Sequence, residues 1–300
     1  MAIDERLTEE VSPAARAWPM TGARSLTVHA GLLAATLLSA TLAGVDVEPR
    51  ELVANPALFL RGLPFAATLV TILLVHELGH YLTCLRHRVS ASLPYFLPAP
   101  LLSPVGTFGA FIRIRSRFPD RRALFDIGAS GPWAGFVVAL AATVIGLTHS
   151  TVLATPQEWH GFACGDSLLT AFLTRIVLHV DSAVVVLHPV AFAGWFGLFV
   201  TSLNLLPVGQ LDGGHVLYAT LGRPTPRIAA LLIAFLVWLG VRGFPGWLLW
   251  AAIITVLLSL GHPPTDDDRR PLDPARRLAA LATLVVFVLT FVPEPFKVVP

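Results

Sequence analysis

Charged residues are scarce in this chain. Only 13% of its 300 residues are Asp, Glu, Lys or Arg, whereas 55% are hydrophobic, and the mean hydropathy is +0.71. A soluble domain carries about a quarter charged residues. The composition therefore excludes an ordinary soluble protein and predicts an integral membrane protein. The formal net charge of +2 and the scattered arginines offer no surface for nucleic acid.

Cysteine is almost absent, with Cys84 and Cys164 as its two occurrences. The topology inferred below places them on opposite sides of a membrane, so we predict no disulfide bond between them. The N-terminal residues 1–24 mix acidic, basic and proline residues and lack the basic-then-apolar pattern of a cleaved signal peptide. We predict that residues 1–24 form a disordered cytoplasmic tail.

Apolar runs occupy much of the remaining sequence. A helix that rises about 1.5 Å per residue needs about 17 to 25 apolar residues to cross the hydrocarbon core. Residues 167–180, which include Arg175, predict an amphipathic helix at the membrane interface. The other runs predict an all-α polytopic membrane protein with six to seven transmembrane helices, at 25–45, 61–85, 127–147, 184–206, 228–241, 246–260 and 278–292.

The distribution of basic residues predicts the orientation of these helices. Alternate loops lie on alternate sides, and one side receives sixteen of the 21 basic residues, including every arginine between positions 86 and 122. Because cytoplasmic loops carry the excess of Lys and Arg, we place the N-terminus in the cytoplasm. The stretch "HELGH", residues 76–80, then lies near the cytoplasmic end of the second span.

The stretch "HELGH" has the spacing of a zinc-binding motif. His76 and His80 are four residues apart on a helix and share one face, with Cβ atoms about 5 to 6 Å apart, so two imidazoles can bind one ion. Glu77 projects beside them, where it can accept a proton from water activated by the metal. An ionisable residue inside an apolar helix indicates function by default.

A catalytic zinc site needs a third protein ligand. Thr83 and Arg86 exclude the extended HExxHxxGxxH pattern, and Glu158 and Glu294 fall at the opposite membrane face. Asp212 lies in "NLLPVGQLDGGH", residues 204–215, which returns to the face that holds the two histidines. Its proline and glycines interrupt a helix at membrane depth, which lipid tolerates only where the backbone lines a protein cavity. Asp212 is therefore the candidate third ligand.

Together, "HELGH" and "NLLPVGQLDGG" resemble the signatures of the site-2 protease family of intramembrane zinc metalloproteases. The likeness extends over residues 61–221 and includes "GTFGAFIRI" and "ASGPWAG" between the two motifs. It implies one Zn²⁺ per chain, and the compact form is indicated because neither a PDZ-like nor a CBS-like domain is visible. By matching positions, it implies a general base at Glu77, a residue that contacts substrate or oxyanion at Asn204, and zinc ligands at His76, His80 and Asp212.

The segment between the second and third spans admits two interpretations. Residues 107–115 alternate in a period of two, which indicates a strand that can pair with an extended peptide. The prolines at 94, 98, 100 and 104 equally favour an interfacial loop that dips into lipid. We predict a membrane-associated β-hairpin or loop here and leave open whether it binds substrate. The role of His215 is also left open. It is either a residue that supports the metal ligands or an ordinary helix-end histidine.

These features predict an intramembrane endopeptidase that cuts transmembrane protein or peptide substrates near the cytoplasmic face of a bacterial inner membrane. The alternative is a non-catalytic zinc-binding membrane scaffold or a metal transporter. Glu77 favours the enzyme, because neither alternative needs a base beside the two histidines. The chain then divides into the tail 1–24, a first helix and loop at 25–60, a catalytic core at 61–221 and C-terminal helices at 222–300. The sequence predicts no nucleic-acid partner and is silent on oligomeric state.

Overall fold

A computed structural model describes residues 23–45, 47, 49–153, 161–180, 185–222, 226–259 and 265–299. The tail predicted at 1–24 therefore lies almost wholly outside the described residues. Ten α-helices are found within them, namely α1 (Ala23–Ala43), α2 (Pro49–Ala54), α3 (Leu63–Arg86), α4 (Arg121–Leu147), α5 (Leu168–Leu178), α6 (Pro189–Asn204), α7 (Asp212–Leu221), α8 (Pro226–Arg242), α9 (Gly246–Ser259) and α10 (Pro274–Thr290), and a 3₁₀ helix at Pro56–Gly62 precedes α3.

Short strands join distant parts of the described chain. The six strands are β1 (Tyr95–Pro98), β2 (Thr107–Phe111), β3 (Thr151–Val152), β4 (Gly161–Cys164), β5 (Val185–Val186) and β6 (Phe296–Val299). They form three antiparallel pairs, β1 with β2, β3 with β5, and β4 with β6. The sequence predicted only the first pair. The other two depend on pairings between segments far apart in the chain.

Three helical segments of the described chain are long and apolar enough to cross a membrane, namely Ser25–Ala43, Pro56–Arg86 and Arg121–Leu147. They coincide with the first three predicted spans, and the protein is a mostly helical, multi-pass membrane protein. The helices α6, α8, α9 and α10 have 14 to 17 residues. Since a full crossing takes about 20 residues, the count of six to seven spans stays a prediction.

Several predicted boundaries are wrong by a few residues, because capping side chains start the helices. The helix α4 begins at Arg121 rather than at 127, since Asp120 Oδ1 accepts a hydrogen bond from the Ala123 amide at 2.8 Å. The helix α10 begins at Pro274 rather than at 278, after the capping residue Asp273. Residues 185–186 form β5, so α6 begins at Pro189 rather than at 184.

The central helix of the described chain is α4, which packs against α3, α6 and α7. Its inward face and those of α3 and α6 carry fully buried side chains such as Leu69, Leu124 and Leu198. Residue types with small side chains let these helices approach closely, as is usual for helices packed inside membranes. This three-helix core holds the histidines of α3 and the segment between α6 and α7 against a common surface.

Of the hairpin and the loop that the sequence allowed between the second and third spans, the structure has the hairpin β1–β2, which lies along α1. His29 Nδ1 is hydrogen-bonded to the Pro94 carbonyl at 3.0 Å, and Ser39 Oγ donates to the Gly106 carbonyl at 2.6 Å. These two contacts are ten residues apart on α1, which corresponds to about 15 Å of helix. The turn of the hairpin exposes Leu101, whose side chain is 92% accessible. The hairpin therefore runs lengthwise beside a candidate membrane helix.

A network of charged side chains fastens α10 to the core. Asp126 of α4 accepts hydrogen bonds from Arg276 Nε at 2.7 Å and Nη2 at 2.6 Å, and from His87 Nε2 at 2.9 Å. Arg276 Nη1 also donates to Asp273. The backbone amide and guanidinium of Arg276 hold the pKa of Asp273 below its usual range. Trp133 adds a neutral contact, donating to Thr283 Oγ1 at 2.9 Å.

Candidate metal centre

The helix α3 presents His76, Glu77 and His80 inside the core. All three side chains are buried, with 6 to 7% of their surface accessible. The two imidazoles are one turn apart, with ring centroids separated by 4.9 Å. The i, i+4 spacing read from the sequence thus brings both rings to one face of a single helix.

The opposing face of α4 has room for the two imidazole rings because the residues in contact with them are glycines. A Cβ atom at Gly131 would overlap the imidazole of His80, and one at Gly135 would lie 3.1 Å from His76 Nδ1. His80 Nδ1 lies 2.7 Å from the Ile127 carbonyl oxygen, which can only accept a hydrogen bond. Nδ1 must therefore carry the proton, and the lone pair of Nε2 is left for a metal.

A break between α6 and α7 brings Asp212 to the same place. The helix α6 ends at Asn204, and α7 begins at Asp212, so the irregular segment is 205–211. Gly209 has a φ of +58°, a conformation that glycine adopts readily. A Cβ at Gly213 would overlap the Leu205 carbonyl, so glycine is needed where α7 folds back on this segment. The predicted helix break is present, and Asp212 forms the first turn of the helix that follows it.

The metal-ligating atoms of three residues meet at this point. His76 Nε2 lies 3.1 Å from His80 Nε2 and 3.4 Å from Asp212 Oδ2, and His80 Nε2 lies 3.3 Å from Asp212 Oδ1. Zinc bound tetrahedrally at about 2.0 to 2.1 Å places its ligand atoms about 3.3 Å apart. The spacing of the three residues and their chemistry, two imidazoles and one carboxylate, therefore fit a zinc ion that retains an open position. Among the described residues, they form one group of metal-ligating side chains.

Glu77 and Asn204 flank this group. The backbone amide of Ile112, in the segment that follows β2, lies near the Glu77 carboxylate. Asn204 Nδ2 lies 3.4 Å from His76 Nε2. Glu77 is thus near the three metal-ligating residues without being one of them, and the side-chain amide of Asn204 lies beside His76. His215 lies one turn beyond Asp212, where its ring meets Phe118 at a centroid distance of 5.7 Å.

Two supporting features were not predicted from the sequence. The first is the carbonyl of Ile127, which fixes the tautomer of His80, and the second is Arg121, which contacts the last turn of α7. The glycines of "ASGPWAG" were a visible signal that another group packs closely against α4. The identity of the group that packs against these glycines depends on how the helices pack, and the local sequence does not specify that packing.

Comparison with protein families agrees with this geometry. The model of peptidase family M50 matches residues 64–240, which is more than half of the chain and includes all five candidate residues. The chain belongs to peptidase family M50. This is the site-2 protease family, so the resemblance inferred from the two motifs is confirmed, and the M50 chain is a member of a family of zinc metalloproteases.

Curated relatives of this M50 chain include plant proteins. It is 34% identical over 237 residues to "Probable zinc metalloprotease EGY1, chloroplastic" of Oryza sativa subsp. japonica, covering 77% of this chain and 40% of the relative. The EGY1 protein of Arabidopsis thaliana is 32% identical, with 77% and 43% covered. EGY2 of the same plant is 28% identical, with 81% and 44% covered. The chain thus spans less than half the length of these relatives.

Proposed function

We propose that this M50 chain is an intramembrane zinc endopeptidase that hydrolyses peptide bonds of transmembrane proteins or peptides near the cytoplasmic face. The observation that carries this proposal is the convergence of two imidazoles and one carboxylate at ligand spacing, with a second carboxylate on the same helix turn. Family membership supports a proteolytic role, and protein substrates follow from it. The division into a core at 61–221 and C-terminal helices at 222–300 remains part of the proposal.

In this proposal, His76, His80 and Asp212 hold one zinc ion through the two Nε2 atoms and the carboxylate. A bound zinc ion supplies a Lewis acid that polarises the scissile carbonyl and lowers the pKa of water to about 7. Water is excluded from the side of the site that faces α4, because both histidines are buried there. Water enters from the side where Asp212 retains 16% accessibility.

Glu77 and Asn204 supply the remaining chemistry. The Glu77 carboxylate accepts a proton from the attacking water and delivers it to the leaving amine. The backbone amide of Ile112 lies near that carboxylate. Asn204 Nδ2 donates a hydrogen bond to the carbonyl oxygen as negative charge develops there. Both groups lie near the metal-ligating residues, so the proton acceptor and the hydrogen-bond donor act at the same site.

The outer edge of β2 is suited to holding an unwound substrate. The Arg113 carbonyl accepts a hydrogen bond from the Ser92 amide, and the Arg115 amide donates one to the Ser90 carbonyl. These backbone groups therefore face the β1 side of the hairpin. Backbone groups alternate in direction along an extended segment. The N–H and C=O groups of Ala110 and Ile112 therefore point away from β1, toward the side of the hairpin where Glu77 lies. A peptide that added to this edge would pass beside the general base.

A proline at Ala110 tests this role of the hairpin. Ala110→Pro removes the outward N–H, and we expect cleavage of a transmembrane substrate to fall about tenfold, the effect of losing about 1 kcal/mol or more of hydrogen bonding. Zinc content should be unchanged. Ala110→Ser keeps the N–H, adds only a hydroxyl group to the side chain and is the matched control. Equal cleavage by the two variants would rule out substrate pairing at this edge.

The membrane and orientation are also proposals. Six to seven spans with the N-terminus in the cytoplasm follow from the arginine distribution, and a bacterial inner membrane is the proposed location. The names of the plant relatives place those proteins in chloroplasts. Reporter fusions after α1 and α3 check the orientation, since only the second junction should be cytoplasmic.

Removing the metal tests the proposed enzyme as a whole. Purified protein in detergent should cleave a model transmembrane substrate, lose this activity with 1,10-phenanthroline and recover it with about one equivalent of Zn²⁺. The isomer 1,7-phenanthroline, which does not chelate, should have no effect. Stoichiometric zinc without any cleavage would favour the scaffold, and zinc flux in proteoliposomes would favour the transporter.

A further inference from the structure

Arg121, the first residue of α4, reaches the last turn of α7. Its Nε donates to the Ala219 carbonyl at 2.9 Å and its Nη2 to the Thr220 carbonyl at 3.0 Å, over sequence separations of 98 and 99 residues. The last carbonyls of a helix have no partner within it, and a cation there also interacts favourably with the helix dipole. One guanidinium therefore satisfies two of these carbonyls and fixes this end of α7.

The other end of α7 carries Asp212. Seven residues separate Asp212 from Ala219, which corresponds to about 11 Å along the helix axis. A tilt of about 10° over that length would displace the carboxylate by about 2 Å, whereas zinc–ligand distances tolerate about 0.2 Å. A small change in the direction of α7 therefore moves the carboxylate by much more than a metal–ligand bond tolerates.

The contacts of α7 with α4 differ in kind along its length. Near Asp212 the two helices touch through Gly128, where an added Cβ would lie 2.7 Å from the Cβ of His215. Such a contact sets how closely the two helices approach, but a van der Waals contact restrains direction less than a hydrogen bond does. The planar fork of a guanidinium fixes two hydrogen-bond directions at once and so restrains rotation.

We infer that Arg121 is a positioning residue that aims the Asp212 carboxylate at the metal by holding the far end of α7. This inference rests on the proposed zinc site. Arg121 touches neither substrate nor metal, and its effect is transmitted through the ten residues of one helix.

The neighbouring arginine provides a matched control. Arg122 Nε donates to the Pro271 carbonyl at 3.1 Å, an exposed contact with the segment before α10. Changing Arg121 or Arg122 to Gln removes the same charge from the same turn of α4. General effects on charge, lipid contact and helix propensity are therefore common to both variants, and only Arg121→Gln removes the two hydrogen bonds to the end of α7.

The experiment measures binding of Co²⁺, a spectroscopic probe for zinc sites, to full-length protein in detergent. Arg121→Gln should weaken Co²⁺ binding by about 10- to 100-fold, as loss of groups that orient metal ligands typically does. Its visible absorption should also lose the intensity of tetrahedral Co²⁺. Arg121→Lys, which keeps the charge but not the fork, should fall between these values and the wild type. Arg122→Gln should stay within about twofold of the wild type.

Each result supports or overturns either the role of Arg121 or the zinc site itself. Equal Co²⁺ affinity and spectrum for Arg121→Gln and Arg122→Gln would overturn the role of Arg121 and leave the zinc site intact. If Arg121→Gln does not yield folded protein, Arg121→Lys decides, and wild-type binding by that variant overturns the inference. Wild-type protein that binds no Co²⁺ would overturn the proposed zinc site and the inference with it.

Discussion

Glu77→Gln is expected to abolish cleavage while leaving the zinc content at the wild-type value. Glutamine keeps the shape of the side chain and an oxygen that can face the nearby Ile112 amide, so the local structure should persist. It cannot take up a proton from water, and general base catalysis contributes about 10² to 10⁴ in rate. We therefore expect kcat to fall by about that factor, with little change in KM.

Metal analysis and cleavage of a model transmembrane substrate, measured on the same preparation, check this result. Glu294→Gln is a matched control, because Glu294 lies half-exposed near Lys297 and far from the site in sequence. It should behave as the wild type. Normal cleavage by Glu77→Gln would remove Glu77 from the mechanism, and loss of zinc together with cleavage would assign it a structural role instead.

Asp212→Ala is expected to reduce both zinc affinity and cleavage. Structural zinc sites bind with about 10 to 16 kcal/mol, so one of three protein ligands accounts for about 3 to 5 kcal/mol. Its loss should weaken zinc binding at least a hundredfold. The two histidines would remain, since their positions depend on α3 and α4 and not on α7.

Competition with a chromogenic chelator measures this affinity. Asp266→Ala is the control for removing a carboxylate, because the ion pair of Asp266 with Arg117 has a separation of 3.9 Å and both side chains are largely exposed. Such a pair contributes little. If Asp212→Ala bound zinc as tightly as Asp266→Ala, the third ligand would have to be another residue.

The parts of the site that the sequence predicts are those set by local periodicity. His76 and His80 share a face because a helix turns every 3.6 residues, and this holds whatever surrounds it. The break before Asp212 follows from proline and glycine, which disfavour a continuous helix. The three long apolar helices likewise follow from length and hydropathy. These predictions need no knowledge of which segments are neighbours.

The features that the sequence did not predict depend on contacts between distant segments. The carbonyl of Ile127 orients His80 from 47 residues away, and the carbonyls bound by Arg121 are about twice as far along the chain. The pairing of β4 with β6 joins residues 161–164 to 296–299. Local patterns carry no information on such partners. Helix starts were missed by several residues because a single capping side chain, such as Asp120, outweighs the apolar pattern.

The contact between Asp126 and Arg276 bears on where this protein could be shortened. Asp126 lies within the region matched by the M50 family, but Arg276 lies beyond it. A chain that stopped at 240 would leave the Asp126 carboxylate with His87 alone, and a half-buried charge that loses its strongest partner is destabilising. We therefore expect a chain shortened at residue 240 to be less stable than one that includes α10.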